Sequence, residues 1–161
     1  MEAHADFLSR LGMTFSHGDY AGIDAIKDKD KVAERLYEKA LEYHPDQRAY
    51  LGLGILKQKS GFYEGSIAAL SKGLQFFPDS DSLNICLGIS YMNLGKYEKA
   101  LACFLKSEHS RDALPYIINC YRETGDFEQE RVFREKLEAY GAKSRAKGGR
   151  FTTETQRTQR E

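Results

Sequence analysis

One stretch limits what this chain can become: Asp81 to Phe104, DSLNICLGISYMNLGKYEKALACF. Apolar residues recur at three- and four-residue spacing on both sides of Gly95, with Leu87, Tyr91 and Leu94 before it and Leu101 and Phe104 after it. That period belongs to amphipathic helices. Gly95 leaves room only for a tight return between two of them. Gly88 lies inside the apolar face of the first helix, where glycine costs about 1 kcal/mol relative to alanine. A helix tolerates this where another backbone comes close, so Gly88 and the small Ala100 are expected to face each other and let the helices nest. Tyr97 then plugs the end of the pair.

Leu87-Gly88, Tyr91, Ala100 and Phe104 stand at the spacing of a tetratricopeptide repeat, and the chain resembles that family over about residues 31–140. The resemblance implies an all-α fold: a right-handed superhelical α-solenoid of about three to four helix pairs. It also implies that the first helix of each pair lines a concave groove, which binds a peptide or helix from another protein.

The repeats divide the chain. Residues 1–30 read as an N-terminal helix (5–17, with Phe7, Leu8, Leu11 and Phe15 on one side) and an irregular insertion, together a degenerate first repeat. Gly18-Asp19-Tyr20 resembles the turn of a repeat, Ala21 to Ile26 a short helical turn, and Lys27 to Lys31 a charged hinge. Residues 31–46 supply a second-type helix stopped at Pro45, since the residue before proline avoids the helical region. Full repeats follow at 47–80, 81–110 and 111–140. Lys57 stands where the family usually has an aromatic, and the 81–110 repeat closes with a tighter turn at Glu108 to Asp112. In the last repeat Ile118 replaces the close-packing glycine and Glu130 the small alanine, so that pair is expected to splay. Residues 141–161 hold no aliphatic larger than alanine and are expected to be a disordered basic tail.

Charge is balanced at 24 basic and 24 acidic residues, but the tail carries six Lys or Arg and two Glu. A nucleic-acid or membrane partner is therefore not expected for the body, apart from weak contacts of the tail. Met1 to Asp6 is acidic with no apolar run after it, and no stretch reaches the roughly 18 apolar residues of a spanning helix, so a cytoplasmic protein is expected. Cys86, Cys103 and Cys120 read as buried thiols packed in a stack. His4, His17, His44 and His109 make no metal-ligand spacing, and Gly52-x-Gly54 lies in a helix rather than after a strand. No enzyme, metal or cofactor is expected.

Carried over residue by residue, the resemblance places groove-lining positions at Arg48, Leu51, Gly52, Ile55, Gln58 and Lys59. In the next repeat they fall at Ser82, Ile85, Cys86, Ile89, Met92 and Asn93, and in the last at Asp112, Pro115, Tyr116, Asn119, Arg122 and Glu123. Members that clamp a C-terminal carboxylate use Lys, Asn and Arg there; Leu51, Ile55, Cys86, Asp112 and Tyr116 replace them, so that clamp is absent. What remains is an apolar groove centred on Leu51, Ile55, Ile85, Ile89 and Met92, rimmed by Lys59, Asn93, Asn119 and Arg122. Such a groove suits an amphipathic helix or extended segment of a partner protein. The expected function is a non-catalytic adaptor or chaperone-like interaction module. The alternative is a docking or self-associating domain, or an appendage of a larger enzyme complex, with the groove filled by Phe7, Leu8, Leu11 and Phe15 of the chain's own first helix.

Overall fold

The computed structural model describes residues 1–17 and 28–157, with side chains described to residue 142. Its helices are α1 (Glu2–His17), α2 (Lys29–Tyr43), α3 (Gln47–Lys59), α4 (Tyr63–Phe76), α5 (Asp81–Asn93), α6 (Tyr97–Leu105), α7 (Leu114–Thr124) and α8 (Phe127–Arg157). They pack as four successive pairs, and each second helix also touches the first helix of the next pair. The first helices neighbour one another from α1 to α3 and from α3 to α5. The fold is the all-α, right-handed superhelical solenoid that the repeats imply.

The turns inside the last three pairs share one geometry. Gly61, Gly95 and Gly125 sit at φ of 75°, 69° and 81°, in the left-handed region. At Gly95 the glycine N–H donates to Met92 O at 2.9 Å and the Lys96 N–H to Tyr91 O at 2.9 Å. The same double closure recurs at Gly61–Phe62 and Gly125–Asp126, so in each of α3, α5 and α7 the turn satisfies two of the end carbonyls. Nothing lies within 4 Å of a Cβ placed on Gly95. Gly95→Ala should therefore cost only the backbone penalty, about 1 kcal/mol, measurable by urea denaturation.

The close approach at Gly88 differs from the expectation. A Cβ there would lie 2.5 Å from Phe104 Cε1, so the glycine makes room for the Phe104 ring rather than for Ala100. Ala100 and Phe104 are both fully buried. Gly54 meets Leu70 in the same way, at 2.6 Å, sixteen residues on as in the Gly88–Phe104 pair.

The first pair carries the same device in a stretched form. Gly12 on α1 faces Tyr37 on α2 at 2.7 Å, although the two lie twenty-five residues apart. Helix α1 is thus the first helix of a complete pair. It buries Ala5, Ser9 and Gly12 and leaves Phe7 exposed. The alternative in which the first helix fills the groove does not match this placement: α1 packs on α2 and stands beside α3 in the row of first helices. The expected turn at 18–20 and helical turn at 21–26 lie outside the described residues. Of the expected hinge at 27–31, Lys29 to Lys31 are already helical in α2 behind Asp28, and Lys27 lies outside the described residues.

The other departures have local causes. Lys57, in place of an aromatic, donates to Glu34 Oε1 at 2.8 Å and lies 5.8 Å over the Phe62 ring. Helix α6 stops at Leu105, and linked turns over Lys106 to Ala113 carry the chain to α7. The α7–α8 pair stays closed despite Ile118 and Glu130, with the Tyr121 and Phe133 rings 5.5 Å apart. Glu130 is only 8% exposed and accepts hydrogen bonds from Arg122 Nη2 at 2.9 Å and from Arg134. The backbone of α8 continues helical to Arg157, beyond residue 141 where the sequence leads one to expect order to end. Residues 141–157 contain no proline to stop the helix, although Gly141, Gly148 and Gly149 each weaken it by about 1 kcal/mol relative to alanine.

Hydrogen bonding from Arg122 holds the Glu130 carboxyl below the usual carboxylate range; Arg134 adds to this and partial desolvation opposes it. A depressed folded value contributes stability above the unfolded pKa, about 4.3, and that contribution is lost as pH falls through the folded value. Glu130→Gln should lower Tm at pH 7, and the gap from the parent should close steadily below about pH 4. A gap that persists unchanged at pH 3 would exclude the ion-pair account.

Candidate protein-binding face

The first helices bring the expected groove residues onto one row, but in different roles. Leu51, Ile55, Ile85, Ile89 and Met92 are all half-buried. Leu51 packs on the middle core cluster, while Ile85, Ile89 and Met92 pack on the C-terminal one. Ser82 and Asn93 are exposed, and Asn93 Nδ2 donates to Ile89 O at 2.9 Å.

Three polar groove-lining positions are engaged by neighbouring helices. Gln58 Nε2 donates to Cys86 O at 2.8 Å and to Ser90 Oγ at 2.7 Å, and Ser90 Oγ lies 2.9 Å from the buried Ser66 Oγ. Gln58 therefore ties α3 to α5. Asn119 Nδ2 lies 3.5 Å from Met92 Sδ, joining α7 to α5. Arg122 is held by Glu130. Tyr116 stacks on Phe104, with ring centroids 5.2 Å apart. Arg48 pairs with Asp6 of α1 and lies 3.6 Å from Asp46, whose carboxylate also caps α3.

Between α1 and α3 a cavity of about 260 Å³ opens on this row. Leu51, Gly52, Ile55, Arg48 and Lys59 line it from α3, Met13, Ser16 and His17 from α1, and Tyr37 from behind. Gly52 is what lets Tyr37 reach it: a Cβ on Gly52 would lie 2.2 Å from Tyr37 Cζ. The Tyr37 hydroxyl lies 3.3 Å from Ser16 Oγ, and burial raises its pKa above the ordinary tyrosine value. Sequence reasoning missed Met13, Ser16, His17 and Tyr37. The signal was present in the Gly12–Tyr37 pair, hidden by the longer connection between α1 and α2.

The three thiols, Cys86 and Cys120 on first helices and Cys103 on α6, are held in the protonated form at neutral pH by burial. Burial pushes Cys86 and Cys120 up to about 11 and raises Cys103. Among the described residues no cluster of three or more His, Cys, Asp or Glu could hold a metal ion.

The repeated helix pairs, the glycine turns and the shared row of first helices define a helical solenoid, and its fold resembles that of tetratricopeptide-repeat proteins. Known structures of that type agree. The crystal structure of MamA superposes with a TM-score of 0.75 at 18% identity, over 87% of this chain and 80% of that one. PilW, a widely conserved type IV pilus biogenesis factor, gives 0.70 at 19% identity, over 84% and 61%. In sequence, BBSome complex member BBS4 of Bos taurus is 29% identical over 97 residues, which is 60% of this chain but 17% of that protein. No family model matches the sequence. Among the described residues no helix is long and apolar enough to cross a membrane.

Proposed function

We propose that this chain is a non-catalytic protein-interaction module, adaptor-like or chaperone-like and cytoplasmic, that holds a helical or extended segment of a partner protein along its first-helix row. The observation that carries this reading is the α1–α3 cavity, continued along α5 by half-buried Ile85, Ile89 and Met92. An apolar strip set between polar margins suits the apolar face of a partner segment. A few central anchors would carry most of the affinity. The solenoid similarity supports a protein partner in general, because proteins of this class serve as interaction scaffolds.

Site-specific photocrosslinking tests the location. A benzophenone side chain at Leu51 or Ile89 should capture a partner, and the same group at Lys72 on α4 should not. Equal capture from all three positions would place binding elsewhere.

Self-association is the second reading, favoured by Phe127 and Val132, which stay 67% and 46% exposed on α8. A concentration-dependent mass by light scattering would support it, and a constant monomer mass would remove it.

A further inference from the structure

We propose that the α1–α3 pocket accepts one large apolar side chain of a partner protein segment and, through Lys59, a carboxylate that the same segment carries within about one turn. This deepens the function proposed above and rests on it.

The walls select the apolar group. Met13, Leu51 and Ile55 face the space, and the Tyr37 ring lies against Gly52 at its back. A volume of about 260 Å³ exceeds that of an apolar cavity able to take benzene, about 150 Å³, so a phenyl or isobutyl group enters without displacing the walls.

The edge selects the charge. Among the described residues no carboxylate lines the pocket. Its two cations differ: Arg48 is compensated by Asp6 and Asp46, whereas Lys59 Nζ makes one hydrogen bond, to the Ser16 carbonyl at 3.3 Å, and has no carboxylate partner among the described residues. Lys59 is exposed, so its ammonium can swing toward an incoming anion at little desolvation cost. A segment with a basic residue at the same distance would set like charges together. Charge complementarity therefore favours an acidic apolar segment over a basic one.

Three probes of one shape test the chemistry: 3-phenylpropionate, 3-phenylpropanol and 3-phenylpropylamine, titrated while following the Met13 and Ile55 methyl resonances. All three should move those methyls, with the carboxylate binding about two- to five-fold tighter than the alcohol and the amine weakest, the range of a solvent-exposed ion pair. Lys59→Glu should invert the order of carboxylate and amine. Equal affinities, or methyls that none of the probes moves, would overturn the proposal. Partner capture separates the two levels. If Lys59→Glu leaves capture intact while changes at Ile55 and Ile89 abolish it, the acidic preference is wrong and the interaction reading stands. If capture weakens in both, the proposal holds.

Discussion

Phe104→Ala is expected to destabilise the fold by about 3–5 kcal/mol, the range for removing a buried aromatic side chain. Phe104 is fully buried, contacts the space above Gly88, and stacks on Tyr116 of the next pair. It thus joins α5, α6 and α7 at one point. Against a domain stability of about 5–15 kcal/mol, this is a large fraction. Gly88→Ala attacks the same contact from the other side. The added methyl would sit 2.5 Å from the ring, and a ring with no free space around it cannot move away cheaply. About 1–3 kcal/mol of overpacking cost is expected. The geometry makes a sharper claim about the pair. Once the ring is gone the methyl meets no obstacle, so the double variant should be no less stable than Phe104→Ala alone. Additive losses in urea denaturation would show that Gly88 is kept for another reason.

Tyr37→Ala should cost a comparable amount, about 3–5 kcal/mol, but with an uneven distribution along the chain. Tyr37 is 1% exposed and fits against Gly12 on α1 and Gly52 on α3, so a single ring holds three helices together. Its loss leaves α1 attached mainly by Ala5, Leu8 and Phe15, with the Arg48–Asp6 pair at the margin. In a stack stabilised by nearest neighbours, damage at one end need not melt the other. Hydrogen exchange should accelerate by orders of magnitude in α1 and α2 while α5 to α7 keep most of their protection. Tyr37→Phe removes only a long hydroxyl contact with Ser16, 3.3 Å, and should cost no more than about 1 kcal/mol. Uniform acceleration across all helices would contradict the peg role given to this ring.

The parts of the fold legible in sequence are those set by short-range chemistry. Gly61, Gly95 and Gly125 mark turns because each needs a left-handed backbone, and that requirement depends on nothing distant. Leu70 and Phe104 lie sixteen residues from the glycines they cover, so one period reveals both. The same contact between Gly12 and Tyr37 spans twenty-five residues, which breaks the period and leaves α1 looking like an extra segment. The expected partner of Gly88 was wrong because spacing gives the facing turn but not which side chain leans into it.

The candidate face was legible as a row of positions, and less so as a set of free side chains. Arg48, Leu51, Ile55 and Lys59 do converge on one pocket. Gln58 and Arg122 read as groove-lining residues in a one-dimensional view. Their partners, the Cys86 carbonyl twenty-eight residues away and the buried Glu130, exist only after adjacent helices meet. A polar side chain's availability is thus a property of the stack and not of its own helix.

Capture of a partner from native extract, compared between the intact chain and the Ile55→Asp, Ile89→Asp double variant, tests the proposed function most directly. Both residues are half-buried on the first-helix row, so circular dichroism and thermal melting must first show that the variant is folded. If the row is the interaction surface, a partner retained by the intact chain is absent from the folded variant. The same catch from both would contradict it and move binding to another face of the solenoid.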